Sequence, residues 1–239
     1  MKIKYWLYRK FPPLTNFLFR KKRKGFSIKT HVEIPYHSQY GQDKIINERI
    51  FGSKKNGFFV DIGANDGITG SNTYFFEKEL SWKGVCIEPQ PDIFKKLAKN
   101  RKSECHNCAV SSKSGKAKFL KVGHADMLSG LVDHMDTSHL SRVEREGEAS
   151  STGVIDVDCK TFNQVVGENF NIDLLSIDVE GADFSILSSI DFDRYKIGCI
   201  AIENNSQENK IYKFLREHAF ALRYVAGDEI YVNELLISH

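Results

Sequence analysis

One short stretch constrains the fold of this chain more than any other: Gly57-Phe58-Phe59-Val60-Asp61-Ile62-Gly63-Ala64-Asn65-Asp66-Gly67. An apolar strand runs into an acidic residue and a glycine-spaced turn, and a segment with polar helix-start residues, Thr69 to Thr73, follows. Glycine lets the backbone turn sharply and approach a ligand closely, because no Cβ intervenes. Such a turn at the carboxyl end of a parallel strand marks the usual α/β binding crevice. A second apolar strand, Gly84-Val85-Cys86-Ile87, follows about 20 residues later and ends on Glu88. An acid in that position accepts both hydroxyls of a ribose. The two features together indicate a nucleoside-containing cofactor.

Spacing discriminates between nucleosides. The dinucleotide fingerprint G-x-G-x-x-G sets a pyrophosphate on a helix N-terminus. Here Gly63 and Gly67 form a G-x-x-x-G, with Asp61 two residues ahead. A carboxylate in the pocket floor repels pyrophosphate but suits the cationic amino acid end of S-adenosylmethionine. The spacing therefore favours that methyl donor over a dinucleotide, with contacts expected from Asp61, Gly63, Asn65, Gly67 and Glu88.

With 239 residues the chain is long enough for one domain carrying a tail. Its 41% hydrophobic and 27% charged residues are those of an ordinary globular protein. The net charge of +3 conceals an asymmetry: residues 1–24 hold nine Lys and Arg and no acid, which leaves the rest at −6. A nucleic-acid enzyme more often spreads basic residues around its cleft, so no nucleic-acid partner is expected. We assign residues 1–37 to a basic aromatic tail and lead-in segment, and 38–239 to a single domain. The tail alternates aromatic clusters (Tyr5, Trp6, Tyr8; Phe17, Phe19) with cations, and Pro12 and Pro13 break it. That composition suits a segment lying on anionic lipid, but no apolar run is long enough to span a bilayer. Five cysteines and no signal peptide predict a reducing, cytoplasmic setting, at the membrane surface where the tail engages lipid. Cys105-His106-Asn107-Cys108 has C-x-x-C spacing, yet no second pair completes a zinc site.

Further along, apolar runs alternate with helical patterns, which predicts α/β architecture with a doubly wound, mostly parallel sheet. Helices are expected over 40–51, 71–80, from 91, 161–166, 183–190 and 208–217. Strands are expected at 58–62, 84–87, 106–110, 116–122, 153–158, 172–178 and 197–202. Two final strands, 221–225 and 230–232, read as an antiparallel edge hairpin around Gly227-Asp228. Gly123 to Thr152 is a long polar loop, and loops of that length inside a domain are usually functional or disordered. Asp126-Met127-Leu128-Ser129-Gly130-Leu131 is the stretch expected to fold over donor or acceptor.

These blocks resemble the FkbM family of S-adenosylmethionine-dependent methyltransferases. The matching pieces are Tyr40-Gly41-Gln42-Asp43, Val60 to Gly67 with Ser71-Asn72-Thr73, Ile87-Glu88-Pro89, Asn107-Cys108-Ala109-Val110, Leu175 to Gly181 and Ile202-Glu203. Cys108 and Asp183 stand where the family pattern has Ala and Glu. The resemblance implies a class I methyltransferase (Rossmann-like) fold, Asn107 and Ala109 near the adenine, and O-methylation of a sugar, glycan or natural-product hydroxyl.

An alcohol nucleophile needs a base to take its proton as the new bond forms. Asp178 and Glu180 follow a buried strand beside the cofactor crevice and are the candidate catalytic pair, as base or substrate anchor. Glu203, ending the next strand, could join them. Three carboxylates also admit Mg²⁺ or Ca²⁺, although no metal is assigned. His124, His134 and His139 in the long loop are alternative bases. A nicotinamide dehydrogenase would need the other glycine spacing. A nucleic-acid methyltransferase would more often carry a D/N-P-P-Y/F/W-type motif. Carboxylate or protein methylation, and a donor fold without activity, stay open.

Overall fold

The computed structural model describes residues 35–123, 128–135, 141, 143–145, 152–168, 171–204 and 209–237. The basic tail, His124, His139, Asp126 and Met127 lie outside these residues. In chain order the strands are β1 (Phe58–Ile62), β2 (Lys83–Ile87), β3 (Glu104–His106), β4 (Ala109–Val110), β5 (Gly115–Lys121), β6 (Gly130–Leu131), β7 (Gly153–Lys160), β8 (Asn171–Ile177), β9 (Lys196–Ile202), β10 (Phe220–Ala226) and β11 (Asp228–Asn233). The helices are α1 (Gln42–Ile46, continued by a π-helical turn Asn47–Phe51), α2 (Tyr74–Leu80), α3 (Pro91–Asn100), α4 (Phe162–Val166), α5 (Asp183–Leu187) and α6 (Asn209–Glu217).

Seven strands form one sheet in the order β10-β11-β9-β8-β1-β2-β3. β3, β2, β1, β8 and β9 pair in parallel, and β11 runs antiparallel to both β9 and β10. The central strands are near-continuous apolar runs because both faces are covered. Alternate residues feed opposite layers. Phe59, Leu174 and Cys199 pack with Ile46, Phe75, Phe76 and Leu97 on one side. Val60, Leu175 and Ile200 pack with Phe162, Ile186 and Leu215 on the other. This is the expected doubly wound sheet.

Three details differ from the sequence reading. The expected strand 106–110 divides: β3 ends at His106 in the main sheet, and β4 joins a second sheet of order β4-β7-β5-β6. Asn107 sits at the division, and its amide donates to the carbonyls of Glu88 (2.9 Å) and Pro89 (3.0 Å), pinning the crossover to the exit of β2. The last hairpin does lie at the sheet edge, but its second strand is interior. β11 is buried along nearly its whole length, whereas β10 from Leu222 onward is only partly so. Helix α2 begins at Tyr74 rather than near Ser71: the Ser71 hydroxyl accepts the Tyr74 amide, while the side chains of Asn72 and Thr73 are spent on tertiary hydrogen bonds to Asp228 and Asp61. Among the described residues no helix is long and apolar enough to cross a membrane.

Candidate functional site

The carboxyl ends of β1, β2 and β8 lie side by side, with Ile62 aligned to Ile87 on one flank and to Ile177 on the other. The turns after them therefore converge. The amides of Gly63 and Ala64 both donate to the Ile87 carbonyl at 3.0 Å, and the Asp178 amide donates to Ile62 at 3.0 Å. Gly63 sits at φ +87°, and a Cβ there would lie 1.8 Å from the Asp178 carbonyl oxygen. Its glycine is thus required by the neighbouring strand exit before any ligand is considered.

Glu88 is buried at the end of β2. One carboxylate oxygen accepts the Asn65 amide (3.1 Å) and the other the Gln90 amide (2.8 Å). Asn65 reaches this contact in the left-handed region, φ +48°. These two backbone donors orient the Glu88 carboxylate at the cleft. Asp61, also buried, accepts a short hydrogen bond from the Thr73 hydroxyl and lies 3.8 Å from the Arg101 guanidinium. Burial raises its carboxyl above the ordinary range, against the opposing pull of Arg101 and then Thr73.

The turn after β8 carries the second set of acids. Asp178 opens onto the cleft at one edge and is otherwise enclosed by protein. Burial, then the nearby carboxylates of Glu203, Asp228, Asp183 and Glu180, pushes it well above the ordinary aspartate range. Glu180 is buried with φ +53°, a conformation that costs a non-glycine residue about 1 kcal/mol or more. Asp183 accepts the amides of Val179 (3.2 Å) and Gly181 (3.0 Å). Its own carboxyl is raised to about 7, chiefly by burial. The segment after β5 closes over this turn: a Cβ at Gly181 would stand 2.7 Å from the His134 carbonyl, and one at Gly130 would stand 3.2 Å from that of Glu180.

One cleft, about 940 Å³ with its solvent-open mouth included, joins the two sets. Asp61, Gly63, Asn65 and Glu88 line it together with Ala109, Asp178 and Glu180. Ser129 and Leu131, from the loop stretch expected to cover the site, are in its wall. Two expected donor residues are not in that wall. Gly67 faces away, because a Cβ there would meet Arg101 and Leu97 at 2.7 Å, and Asn107 is spent on the crossover described above. His134 approaches the turn through its backbone and is also absent from the wall. Among the described residues no group of three or more His, Cys, Asp or Glu side chains is arranged to hold a metal ion.

Sequence reasoning missed Arg101, Asn72 and Phe119. Arg101 follows α3 in a Lys-Asn-Arg-Lys run that reads as solvated surface, yet it is buried. Asn72 lines the cleft and donates to Ser176 (3.1 Å) and Asp228 (2.9 Å), while its own carbonyl oxygen is buried without a partner among the described residues. Its place in Ser71-Asn72-Thr73 was the only signal. Phe119 of β5 forms an apolar wall with Ile87, Ile93, Ala109 and Leu131. Its strand was legible, but the sheet face it occupies was not.

The family model described as Methyltransferase FkbM domain matches residues 61–225. No curated protein matches the chain. Among solved structures, the chain is similar to a methyltransferase FkbM from Methylobacillus flagellatus KT, at 11% identity and TM-score 0.45, covering 75% of this chain and 44% of that one. It is also similar to a precorrin-6y C5,15-methyltransferase from Geobacter metallireducens GS-15, at 10% identity and TM-score 0.36, covering 75% and 79%. The chain thus spans less than half the length of the first of these.

Proposed function

The chain belongs to the FkbM methyltransferase family and has the class I, Rossmann-like fold, and on that premise we propose that it is an S-adenosylmethionine-dependent O-methyltransferase acting on a hydroxyl of a sugar, glycan or related natural product. The observation that carries this reading is the single cleft lined by both acid sets, one at the ends of β1 and β2 and the other after β8. The cleft fits the donor. Glu88 is held at the cleft by two backbone amides, where a carboxylate suits ribose hydroxyls, and the apolar wall around Ala109 and Phe119 suits an adenine. Asp61 and the unpartnered carbonyl of Asn72 suit a cationic amino acid end.

When bound, the donor supplies an electrophilic methyl group on a sulfonium. The protein's own part is to align the acceptor, exclude water and take a proton. Asp178 or Glu180 performs that last task, or anchors the acceptor. The Asp178 carboxyl, raised well above the ordinary range by burial and its acidic neighbours, is a better proton acceptor for a hydroxyl than an ordinary aspartate. The turn is held by Asp183 from one side and by the Gly130 to His134 segment from the other, which fixes both acids relative to the cleft. Residues 1–24, with their nine cations, supply peripheral contact with anionic membrane in this reading.

The test is incubation of the full chain with methyl-labelled donor and a panel of glycans, nucleotide sugars, free sugars and RNA. Label is expected on a saccharide hydroxyl. Label on RNA alone would overturn the acceptor class. Calorimetric binding of NAD in preference to S-adenosylhomocysteine would overturn the donor.

A further inference from the structure

Arg101 does not itself line the cleft, yet its side chain is heavily committed to the residues that do. Its side chain is wholly buried, although a guanidinium leaves water only at high cost unless its donors are satisfied. Nε donates to Glu77 Oε2 at 3.0 Å. Nη1 donates to the Gly67 carbonyl (3.1 Å) and reaches the Ser71 hydroxyl (3.4 Å), and Nη2 donates to the Thr73 hydroxyl (2.9 Å). The guanidinium lies over the rings of Phe59 and Tyr74, 5.1 and 5.6 Å from their centroids. Asp61 completes the set at 3.8 Å.

We propose that Arg101 is the positioning residue of the donor site, a buried fork that fixes the Gly67–Thr73 loop and, through Thr73, the Asp61 carboxylate. The inference rests on the donor reading given above. Pairing with Glu77 would by itself neutralise the charge; the other donors go to the loop whose Thr69, Gly70, Ser71 and Asn72 line the cleft. Guanidinium N–H groups only donate. The Thr73 hydroxyl must therefore accept from Arg101, and its single hydrogen is directed to Asp61. The second glycine of the G-x-x-x-G motif has the same cause, since a side chain at Gly67 would occupy the space of Arg101 and Leu97. Arg101 also opposes the burial that favours the uncharged Asp61, so the anion available to the ammonium of the donor's amino acid end depends on it.

The experiment is calorimetry of S-adenosylhomocysteine binding to the full chain between pH 6 and 8.5, for wild type, Arg101→Gln, Arg101→Lys and Thr73→Val. The charged and titratable groups facing Asp61 are Arg101 at the end of α3, Glu77 on α2, and the thiols of Cys86 on β2 and Cys105 on β3. All but Arg101 are common to every variant, so they largely cancel in affinity ratios. Arg101→Gln is expected to bind roughly tenfold or more weakly than wild type. That deficit should grow as pH falls, because without Arg101 burial favours the uncharged Asp61. Arg101→Lys retains the charge without the fork and should be weaker by a ratio that does not change with pH. Thr73→Val should show the Arg101→Gln trend at smaller amplitude, and with Arg101→Lys it carries the test should Arg101→Gln fail to fold. A wild-type to Arg101→Gln ratio that is constant with pH, or Arg101→Lys and Thr73→Val binding within twofold of wild type throughout, overturns the inference. Wild type that binds no S-adenosylhomocysteine overturns the donor reading itself, and the inference with it.

Discussion

At the scale of single residues, the tightest constraint in the site falls on Gly63, which has no room for a side chain. Gly63 meets the backbone of Asp178, so Gly63→Ala must displace a strand exit. It should cost about 1–3 kcal/mol or more and abolish donor binding. At Gly153, where a Cβ meets nothing within 4 Å, alanine should be nearly neutral. Thermal melts of the two variants check both outcomes. Asp178→Asn and Glu180→Gln test the chemistry: loss of a positioned base lowers turnover by about 10²–10⁴-fold. Donor affinity, measured in parallel, should stay within a few fold of wild type, because Asp61 and Glu88 hold the donor in the proposed reading. Full turnover in both variants would move the base to another group, the loop histidines first.

Elements matter through where they sit in the sheet rather than through their length. β11 lies between β9 and β10, and Ile230 on it is fully buried, whereas Leu222 on the edge strand β10 is partly exposed. Ile230→Ala should therefore cost about 2–5 kcal/mol. Leu222→Ala should cost less than half as much, as read from urea denaturation midpoints. The second sheet plays a different part. β5 and β7 pair along seven registered positions, from Gly115 with Cys159 to Lys121 with Gly153, and this ladder carries Phe119 and the following Leu131 to the cleft. An irregular loop could not hold an apolar wall there without leaving backbone groups unpaired.

For the molecule as a whole, buried carboxyls couple folding, pH and ligand. Asp61, Asp178, Asp183 and Asp228 are all raised above the ordinary 3.8, Asp183 to about 7, with burial the leading cause for each. The folded protein therefore holds protons that the unfolded chain has released, and stability from these groups is lost as pH rises through the folded values. The melting-temperature difference between wild type and Asp183→Asn should fall by about 2 °C or more from pH 5.5 to 8. A difference independent of pH would refute the shift. A cationic donor favours the ionised forms, so its binding should release protons increasingly as pH falls, seen as a calorimetric enthalpy that varies with buffer ionisation heat.

The sequence by itself determined what is local. Alternating apolar runs and helical patterns specified a parallel sheet, because strands buried on both faces and amphipathic helices each leave a short-range signature. Asp61, Glu88 and Asp178 were legible for the same reason: each stands at or just before the end of an apolar run, where open α/β sheets bind ligands. Tertiary structure decided the rest, because it depends on which segments meet. The glycine motif was legible as a turn, but Gly63 is explained by Asp178 and Gly67 by Arg101, partners 115 and 34 positions away. The division of 106–110 between two sheets follows from an amide that finds the carbonyls beyond β2. Arg101 is the clearest case. Nothing adjacent to it in sequence distinguishes it from the lysines beside it, and only the packing of α2, α3 and the turn after β1 encloses it among the groups that its five donors require.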